Sequence, residues 1–418
     1  MKNIAVIGAN FGDESKGKTV DYWVKKLQEQ QQDCMVIRYS GSNNATHTVY
    51  KNSTLYHAFS SIGSGGFRNV PTYLSQYFIV DPVALAREHH SLKQKFPAYD
   101  APIYIDPRCR LVTPYDVVIN RLKEHFAGEQ RHGSTGNGLN ECIQRQAILP
   151  FFVQDLSQSI DILRKIHAYF LKFLNQYDQI HLDTLNAELK KTVLFCLDAD
   201  NIAVIAEKYE ELYASHYRLT HPNLQYYSCI FEGSQGLALD QDAKYFPYVT
   251  HAKTGVANIL NICQEFHVRL DQVYYLSRCY LTRHGYDPFF NQNYHHDVQQ
   301  DFRIYDVTNV KNPWQGAMQY DYLNVDEMEQ RITEDFQQCA AIFPNCQSSR
   351  VFSCLDQIQA EFKVHLHQKL MAFSNFQQYY KWEVKLCAVR GAEMRIHSFF
   401  FLLARAGTAA AASAFPGG

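Results

Sequence analysis

Gly12-Asp-Glu-Ser-Lys-Gly17-Lys18-Thr19 fits the spacing G-x-x-x-x-G-K-[ST] and follows the strand-forming run Ile4, Ala5, Val6, Ile7. Glycines in such a turn let backbone N–H groups curl around a phosphate, a lysine supplies positive charge, and a Ser or Thr hydroxyl can face Mg²⁺. Gly12, Asp13, Glu14, Ser15, Lys16, Gly17, Lys18 and Thr19 are therefore candidates for holding a phosphorylated ligand. Val20, Trp23, Val24 and Leu27 continue at helical spacing, so the segment reads strand, turn, helix. The chemistry implied is the handling of a nucleotide.

The chain that must position this turn has 418 residues, enough for one large α/β domain or two smaller ones. A net charge of -2 with 20% charged residues gives no global electrostatic argument for nucleic acid or a membrane as partner. The 28 Tyr and 27 Phe favour a packed fold over disorder. Eleven cysteines without a C-x-x-C pair suit a reducing cytoplasm and signal no zinc site. The first residues lack the charged-then-apolar layout of a signal peptide, and the apolar run Phe399 to Ala404 is too short to span a bilayer.

Strand-like segments at 3–8, 34–39, 77–80, 102–105, 228–232 and 273–280 alternate with helical stretches, the order of an α/β protein with a mainly parallel sheet flanked by helices. Residues 152–217 carry few glycines and apolar residues at three and four spacing, which predicts a helical insertion on one side of the sheet. Polar, glycine-bearing loops at 40–47, 60–71, 128–140, 232–255 and 283–321 can surround a ligand of nucleotide size at the carboxyl ends of the strands. We expect one domain over 1–385 and a C-terminal extension over 386–418 with a flexible end.

Five segments, in order, resemble the adenylosuccinate synthetase family, ligases that join L-aspartate to the 6-position of a purine nucleotide. They are Asn10-Phe-Gly-Asp-Glu-Ser-Lys-Gly-Lys18 beside Q-W-G-D-E-G-K-G-K, and Arg38-Tyr-Ser-Gly-Ser-Asn-Asn-Ala-Thr-His47-Thr beside R-x-x-G-G-H-N-A-G-H-T. His132-Gly-Ser-Thr-Gly-Asn-Gly138 is similar to I-G-T-T-G-R-G, Phe231-Glu-Gly-Ser-Gln-Gly236 with Tyr245-Phe-Pro-Tyr-Val-Thr250 to F-E-G-A-Q-G and Y-P-Y-V-T, and Thr282-Arg283-His-Gly285 to T-R-V-G. The resemblance implies a P-loop-related synthetase fold in a cytoplasmic homodimer. Its implied activity is NTP-dependent phosphorylation of the purine O6, then displacement of phosphate by the aspartate amine. The first step needs a base near N1, positive charge on the moving phosphoryl group, and a metal.

In that resemblance Asp13 is the base and, with Ser42, a Mg²⁺ contact, while Lys16 meets the transferred γ-phosphate. His47 matches a histidine at the nucleotide phosphates, and Asn43 replaces the family's earlier histidine, the acid at O6. Asparagine can donate a hydrogen bond there but cannot deliver a proton. Ser134 and Thr135 match the hydroxyls at the substrate's 5′-phosphate, and Gln235 and Thr250 match contacts to base and phosphate. Arg145 lies where the family often sends an arginine into a neighbouring subunit. Arg283, Thr308 and Asn309 remain for aspartate, with Gln319 in place of an expected arginine. Asp356 stands for the aspartate that selects GTP, with Cys354 in place of its lysine neighbour, so GTP and ATP both stay open as donor.

Two acceptors are implied. Asp306-Val-Thr-Asn-Val-Lys-Asn-Pro-Trp-Gln-Gly316, Ser353-Cys-Leu-Asp356-Gln and Ile105-Asp-Pro-Arg108 resemble the phage-type synthetases that make 2-aminoadenylosuccinate from dGMP with ATP. Asp13 instead suits hypoxanthine, which carries only hydrogen at C2, and so favours IMP. The departures at Asn43, Ser15, Thr46 and Gln319 would also suit a nucleotide-binding homologue without catalysis.

Overall fold

A computed structural model describes residues 1–52, 54–128, 133–176, 182–285, 298, 302, 304, 314, 318–354, 357 and 404–405. Its centre is the strand foreseen at the N-terminus, β1 (Ile4–Gly8), whose five residues are all buried. Such an apolar run without alternation is the pattern of a parallel strand covered on both faces. Around it stand β2 (Cys34–Arg38), β5 (Thr72–Leu74), β6 (Ile103–Ile105), β7 (Tyr217–Arg218), β8 (Ser228–Gly236), β9 (Gln272–Arg278), β12 (Gln347–Ser353) and β13 (Ala404–Arg405). Two hairpins lie outside this sheet, β3 (His47–Tyr50) with β4 (Tyr56–Phe59) and β10 (Tyr280–Arg283) with β11 (Gln319–Tyr322).

The sheet runs β13-β12-β9-β1-β8-β2-β5-β6-β7, with every pair parallel except β12–β13. From β1 the chain passes by α1 (Lys16–Glu29) to β2 on one side, whereas β8 connects through α8 (Ala257–Glu265) to β9 on the other. Strand order therefore reverses at β1 and β8. The carboxyl edge beside them is the crevice where open parallel sheets bind ligands.

Each face has its own apolar layer. Ile4, Val6, Val36, Ile230 and Leu276 pack against Val20, Val24 and Leu27 of α1, the helical residues expected from their spacing. Ala5, Ile7, Ile37, Phe231 and Val273 pack against α8 and, through Met328 and Ile332, against α9 (Val325–Ile342). A third layer joins β5 and β6 to α2 (Pro82–Lys95), α3 (Pro114–Ala127), α5 (Ser159–Leu174), α6 (Ala187–Leu197) and α7 (Asn201–Glu210). The last three helices occupy the segment read as helical from its periodicity. Among the described residues no helix is long and apolar enough to cross a membrane.

Two strand expectations are corrected. Residues 77–80 are not a strand: β5 lies earlier, at Thr72–Leu74, and after a turn only Val80 forms an isolated bridge, to Leu111. A short apolar run can be buried by packing alone, as Phe78 and Val80 are here, and its pattern does not distinguish that from a strand. The run 273–280 is two strands, broken at Cys279. Of the extension 386–418 only Ala404 and Arg405 lie within the described residues.

Arg145, on α4 (Leu139–Gln146), does not reach out of the molecule. Its guanidinium is buried and donates to both carboxylate oxygens of Asp116 at 2.8 and 3.0 Å and to the carbonyls of Leu111 and Leu149. Removing one partner of a buried pair leaves an uncompensated charge, so Arg145→Ala should lower unfolding free energy by about 3–5 kcal/mol. Urea denaturation at two protein concentrations checks this, and the loss should be the same at both, as for a bond within one subunit.

Candidate active site

The turn after β1 holds an unusual backbone. Gly12, Asp13 and Ser15 have φ of 103°, 56° and 65°, and a left-handed conformation is strained for a residue with a side chain. The turn is held from several sides. Asn10 donates its backbone N–H to Glu14 Oε1 at 2.6 Å, Thr282 Oγ1 donates to the carbonyl of Gly12 at 3.2 Å, and Arg278 Nε donates to the carbonyl of Asp13. Helix α1 then starts at Lys16, with no side-chain hydrogen bond capping it at Ser15. Uncapped first-turn amides and the helix dipole suit an anionic oxygen.

Glu14 and Lys16 are both buried, with Nζ 4.0 Å from Oε2. Burial raises the Glu14 carboxyl to about 7 against the pull of Lys16, and burial likewise lowers the Lys16 ammonium against Glu14 and Asp13. Asp13 is half-buried, and its Oδ2 lies 3.0 Å from His284 Nε2. Burial would raise its carboxyl, but His284, Arg278 and Lys16 outweigh it and hold it below the ordinary value. Asp13 is thus an ionised acceptor facing the crevice.

The second half of the site is built on β8. Glu232 pairs in register with Arg38 at the end of β2, and its carboxylate is fully buried. It accepts from His47 Nδ1 at 2.6 Å and from the Ser64 amide at 2.9 Å, and Ser64 Oγ donates to it as well. Burial alone would raise this carboxyl, but His47, Arg38 and Ser64 bring it down to about 2. Burial lowers the His47 imidazole in spite of Glu232. An ionised Glu232 fixes the imidazole proton on Nδ1, leaving Nε2 as the nitrogen that can exchange a proton; it lies 3.4 Å from the Ser234 carbonyl.

Gly17 brings the two halves together. A Cβ there would sit 2.7 Å from His47 Cβ and 2.9 Å from Ser64 Oγ, so only glycine lets the first turn of α1 lie against the histidine. Among the described residues several buried polar atoms around this junction find no hydrogen-bond partner: Arg38 Nε and Nη1, Ser40 Oγ, Gln235 Oε1 and Glu14 Oε2. Native proteins satisfy nearly all such atoms, and a concentration of exceptions marks a place where a polar ligand completes the bonding.

The other expected residues are placed as follows. Gln235 lies against Gly41 at the end of β8. Thr250 closes the 240–255 loop by donating its amide to the Leu239 carbonyl at 2.9 Å, and Arg283 reaches that loop at the Tyr248 carbonyl, 2.6 Å away, with its guanidinium 4.7 Å from the Phe11 ring. Thr19 is buried and its hydroxyl donates to the Ser15 carbonyl at 3.1 Å, so it does not face the turn as a P-loop hydroxyl would. Ser42 donates to Asn43 Oδ1 at 2.9 Å, and the Asn43 amide bonds Asp81, the residue that caps α2. The Ser134 amide and hydroxyl are engaged by Glu124 and Asn120 of α3, at 3.3 and 3.1 Å, and Thr135 beside it is half-buried. Lys18 is half-buried in the first turn of α1. Gln319 sits directly across from Arg283 in the β10–β11 ladder. Thr308, Asn309 and Asp356 lie outside the described residues. Among the described residues no group of three or more His, Cys, Asp or Glu could hold a metal ion by itself.

Sequence reasoning did not find the Glu232–Ser64 cradle, the Asp13–His284 pair or Arg331. Glu232 carried a signal, a carboxylate closing an apolar strand. Ser64 had only its glycine-rich loop, and Arg331 on α9 had none.

Parallel topology, reversal at β1 and β8 and a strained turn leading into a helix define an α/β protein with a candidate ligand site at the carboxyl edge of its sheet. The adenylosuccinate synthetase profile matches residues 5–311, and the chain belongs to that family. The adenylosuccinate synthetase of Azotobacter vinelandii is 30% identical over 293 residues, 69% of this chain and 64% of the relative. That of Francisella tularensis is 27% identical over 310 residues, 69% of this chain and 65% of the relative. The chain thus spans just under two thirds of the length of these relatives. Among solved structures, the fully ligated Plasmodium falciparum adenylosuccinate synthetase superposes with a TM-score of 0.56 at 18% identity, over 78% of this chain and 73% of that one. The cyanophage S-2L succinoaminodeoxyadenylate synthetase, bound to dGMP and dATP, gives 0.51 at 14% identity, over 80% and 82%.

Because the folded His47 resists protonation, its value lies below that of the unfolded chain, and its contribution to stability is present above about pH 6.5 and lost as pH falls below it. His47→Gln should therefore flatten the fall in unfolding free energy between pH 7 and pH 5. Parallel urea titrations of the two proteins give the difference; identical slopes would show that His47 protonates normally.

Proposed function

We propose that this chain is a Mg²⁺-dependent purine-nucleotide:L-aspartate ligase that makes adenylosuccinate from IMP with a nucleoside triphosphate. The observation that carries this reading is the meeting of the two half-sites at Gly17: an ionised Asp13 and a buried Lys16 on one loop, and the His47–Glu232 pair beside them.

Asp13 accepts the N1 proton of hypoxanthine as O6 takes the γ-phosphoryl group from the triphosphate. Lys16 and the uncapped first turn of α1 hold that group and stabilise its charge. The aspartate amine then attacks C6, the C6–O6 bond breaks, and phosphate leaves. Asn43 is turned toward Asp81, whereas His47 has an orienting carboxylate, so we assign the contact with the transferred phosphoryl group to His47 rather than to position 43. Arg283, beside Phe11 and the 245–250 loop, is our candidate for the aspartate carboxylates.

Mg²⁺ characteristically takes one or two protein carboxylates together with substrate phosphates, and Asp13, the carboxylate of the turn held ionised, would hold it. When bound it would neutralise phosphate charge. We also read the protein as a cytoplasmic homodimer, which light scattering on the purified chain tests.

The assay is phosphate release by the purified chain with L-aspartate and Mg²⁺, crossing IMP or dGMP with GTP or ATP. Release with IMP is expected; release with dGMP alone would make the chain a phage-type synthetase, and no release with any pair overturns both. Lys16→Ala should slow release by about 10²–10³-fold and His47→Ala by about 10²–10⁴-fold. Nucleotide binding without turnover, unchanged by Asp13→Ala, is the behaviour of a non-catalytic homologue.

A further inference from the structure

We propose that Arg331 of α9 is a positioning residue for the phosphate loop: it fixes Asn10, and Asn10 fixes Glu14 and the strained turn that presents Asp13 and Lys16. What the loop binds rests on the function proposed above, whereas the clamp is a matter of geometry. Helix α9 lies beyond the residues 5–311 that match the family.

Asn10 is a hub whose bonding groups are all engaged. Its amide N–H donates to Glu14 Oε1 at 2.6 Å, its Nδ2 to Ser277 Oγ at 2.9 Å, and its carbonyl accepts from Ala238 at 3.0 Å. The remaining acceptor, Oδ1, takes Arg331 Nη2 at 2.7 Å, and Arg331 Nε reaches the Ala9 carbonyl at 3.4 Å. A guanidinium presents its N–H groups in a rigid planar fork, so two bonds to adjacent residues set the orientation of the Asn10 side chain as well as its place. The Asn10 amide in turn holds the Glu14 carboxylate, which lies between the left-handed Asp13 and Ser15.

Arg331 is itself held. Its Nη1 lies 3.4 Å from Glu327, one turn earlier on α9, and Glu327 also accepts from Lys244 Nζ and the Tyr245 hydroxyl, each at 3.1 Å. The Tyr245 ring packs edge-on to Phe11, with centroids 5.2 Å apart. One helix face thus grips both walls of the crevice, the 9–14 turn through Arg331 and the 240–250 loop through Glu327.

The test is hydrogen exchange of the ligand-free full chain for wild type, Arg331→Ala, Arg331→Lys, Asn10→Ala and the Arg331→Ala/Asn10→Ala double variant. Arg331→Ala should speed exchange across residues 10–17 by about tenfold or more and leave β12 unchanged. Arg331→Lys, with one donor for Asn10, should restore part of the protection. The double variant should exchange no faster in the loop than Asn10→Ala alone, since the two residues act in series. Unchanged loop exchange, additive effects in the double variant, or acceleration spread evenly over β1, β9 and β12 would overturn the proposal. Calorimetry with GTP and with ATP in Mg²⁺ adds the functional reading, in which Arg331→Ala weakens the triphosphate that wild type binds by about fivefold or more. If wild type binds neither, the nucleotide reading fails while the exchange data still decide the clamp.

Discussion

A carboxylate with no access to water, that of Glu232, is the constraint around which the carboxyl edge of this sheet is organised. An ionised group of that kind is tolerated only where hydrogen bonds and opposite charge replace its hydration. Here the replacement comes from three separate pieces of chain: His47 at the start of the β3–β4 hairpin, the amide and hydroxyl of Ser64 in the loop before β5, and the charge of Arg38 at the end of β2. Satisfying one anion therefore draws the hairpin, the 60–71 loop and two adjacent strands to a single point. The first turn of α1 closes over that point, which Gly17 makes sterically possible.

The same economy is not extended to the neighbouring groups. Among the described residues, two of the three nitrogens of the buried Arg38 guanidinium, the Ser40 hydroxyl, the Gln235 carbonyl oxygen and one oxygen of Glu14 are left without hydrogen-bond partners. A sequence selected for stability alone would have paired or removed them. Their gathering at the point where strand order reverses couples topology to chemistry: the reversal leaves a crevice, and the crevice is lined by groups whose bonding a ligand would complete.

How much of this was legible depends on range. The turn from Gly12 to Thr19, the all-buried β1, the periodic α1 and the helical character of 152–217 were readable because each is a local pattern with its own physical signature. Residues 77–80 misled because burial of an apolar run looks the same in a strand and in a packed turn. Thr19 misled in a related way, since spacing names a hydroxyl without saying where it points, and here it turns back onto Ser15. Arg145 likewise carried no local sign that its partner was Asp116 on the preceding helix.

The sequence by itself determined the fold class, the family and the residue types at the crevice, because turn chemistry, strand runs and helix periodicity are encoded over a few consecutive positions. Only the tertiary structure decided which of those residues work together. His47 found Glu232, Asp13 found His284, and Asn10 found Arg331, pairings that span 185 residues of chain in the first case and 321 in the last. No spacing rule reaches that far: such partners are chosen by the packing of the sheet, which brings the carboxyl ends of its strands and the flanking helix α9 to one place, and by the cost of leaving a buried charge alone.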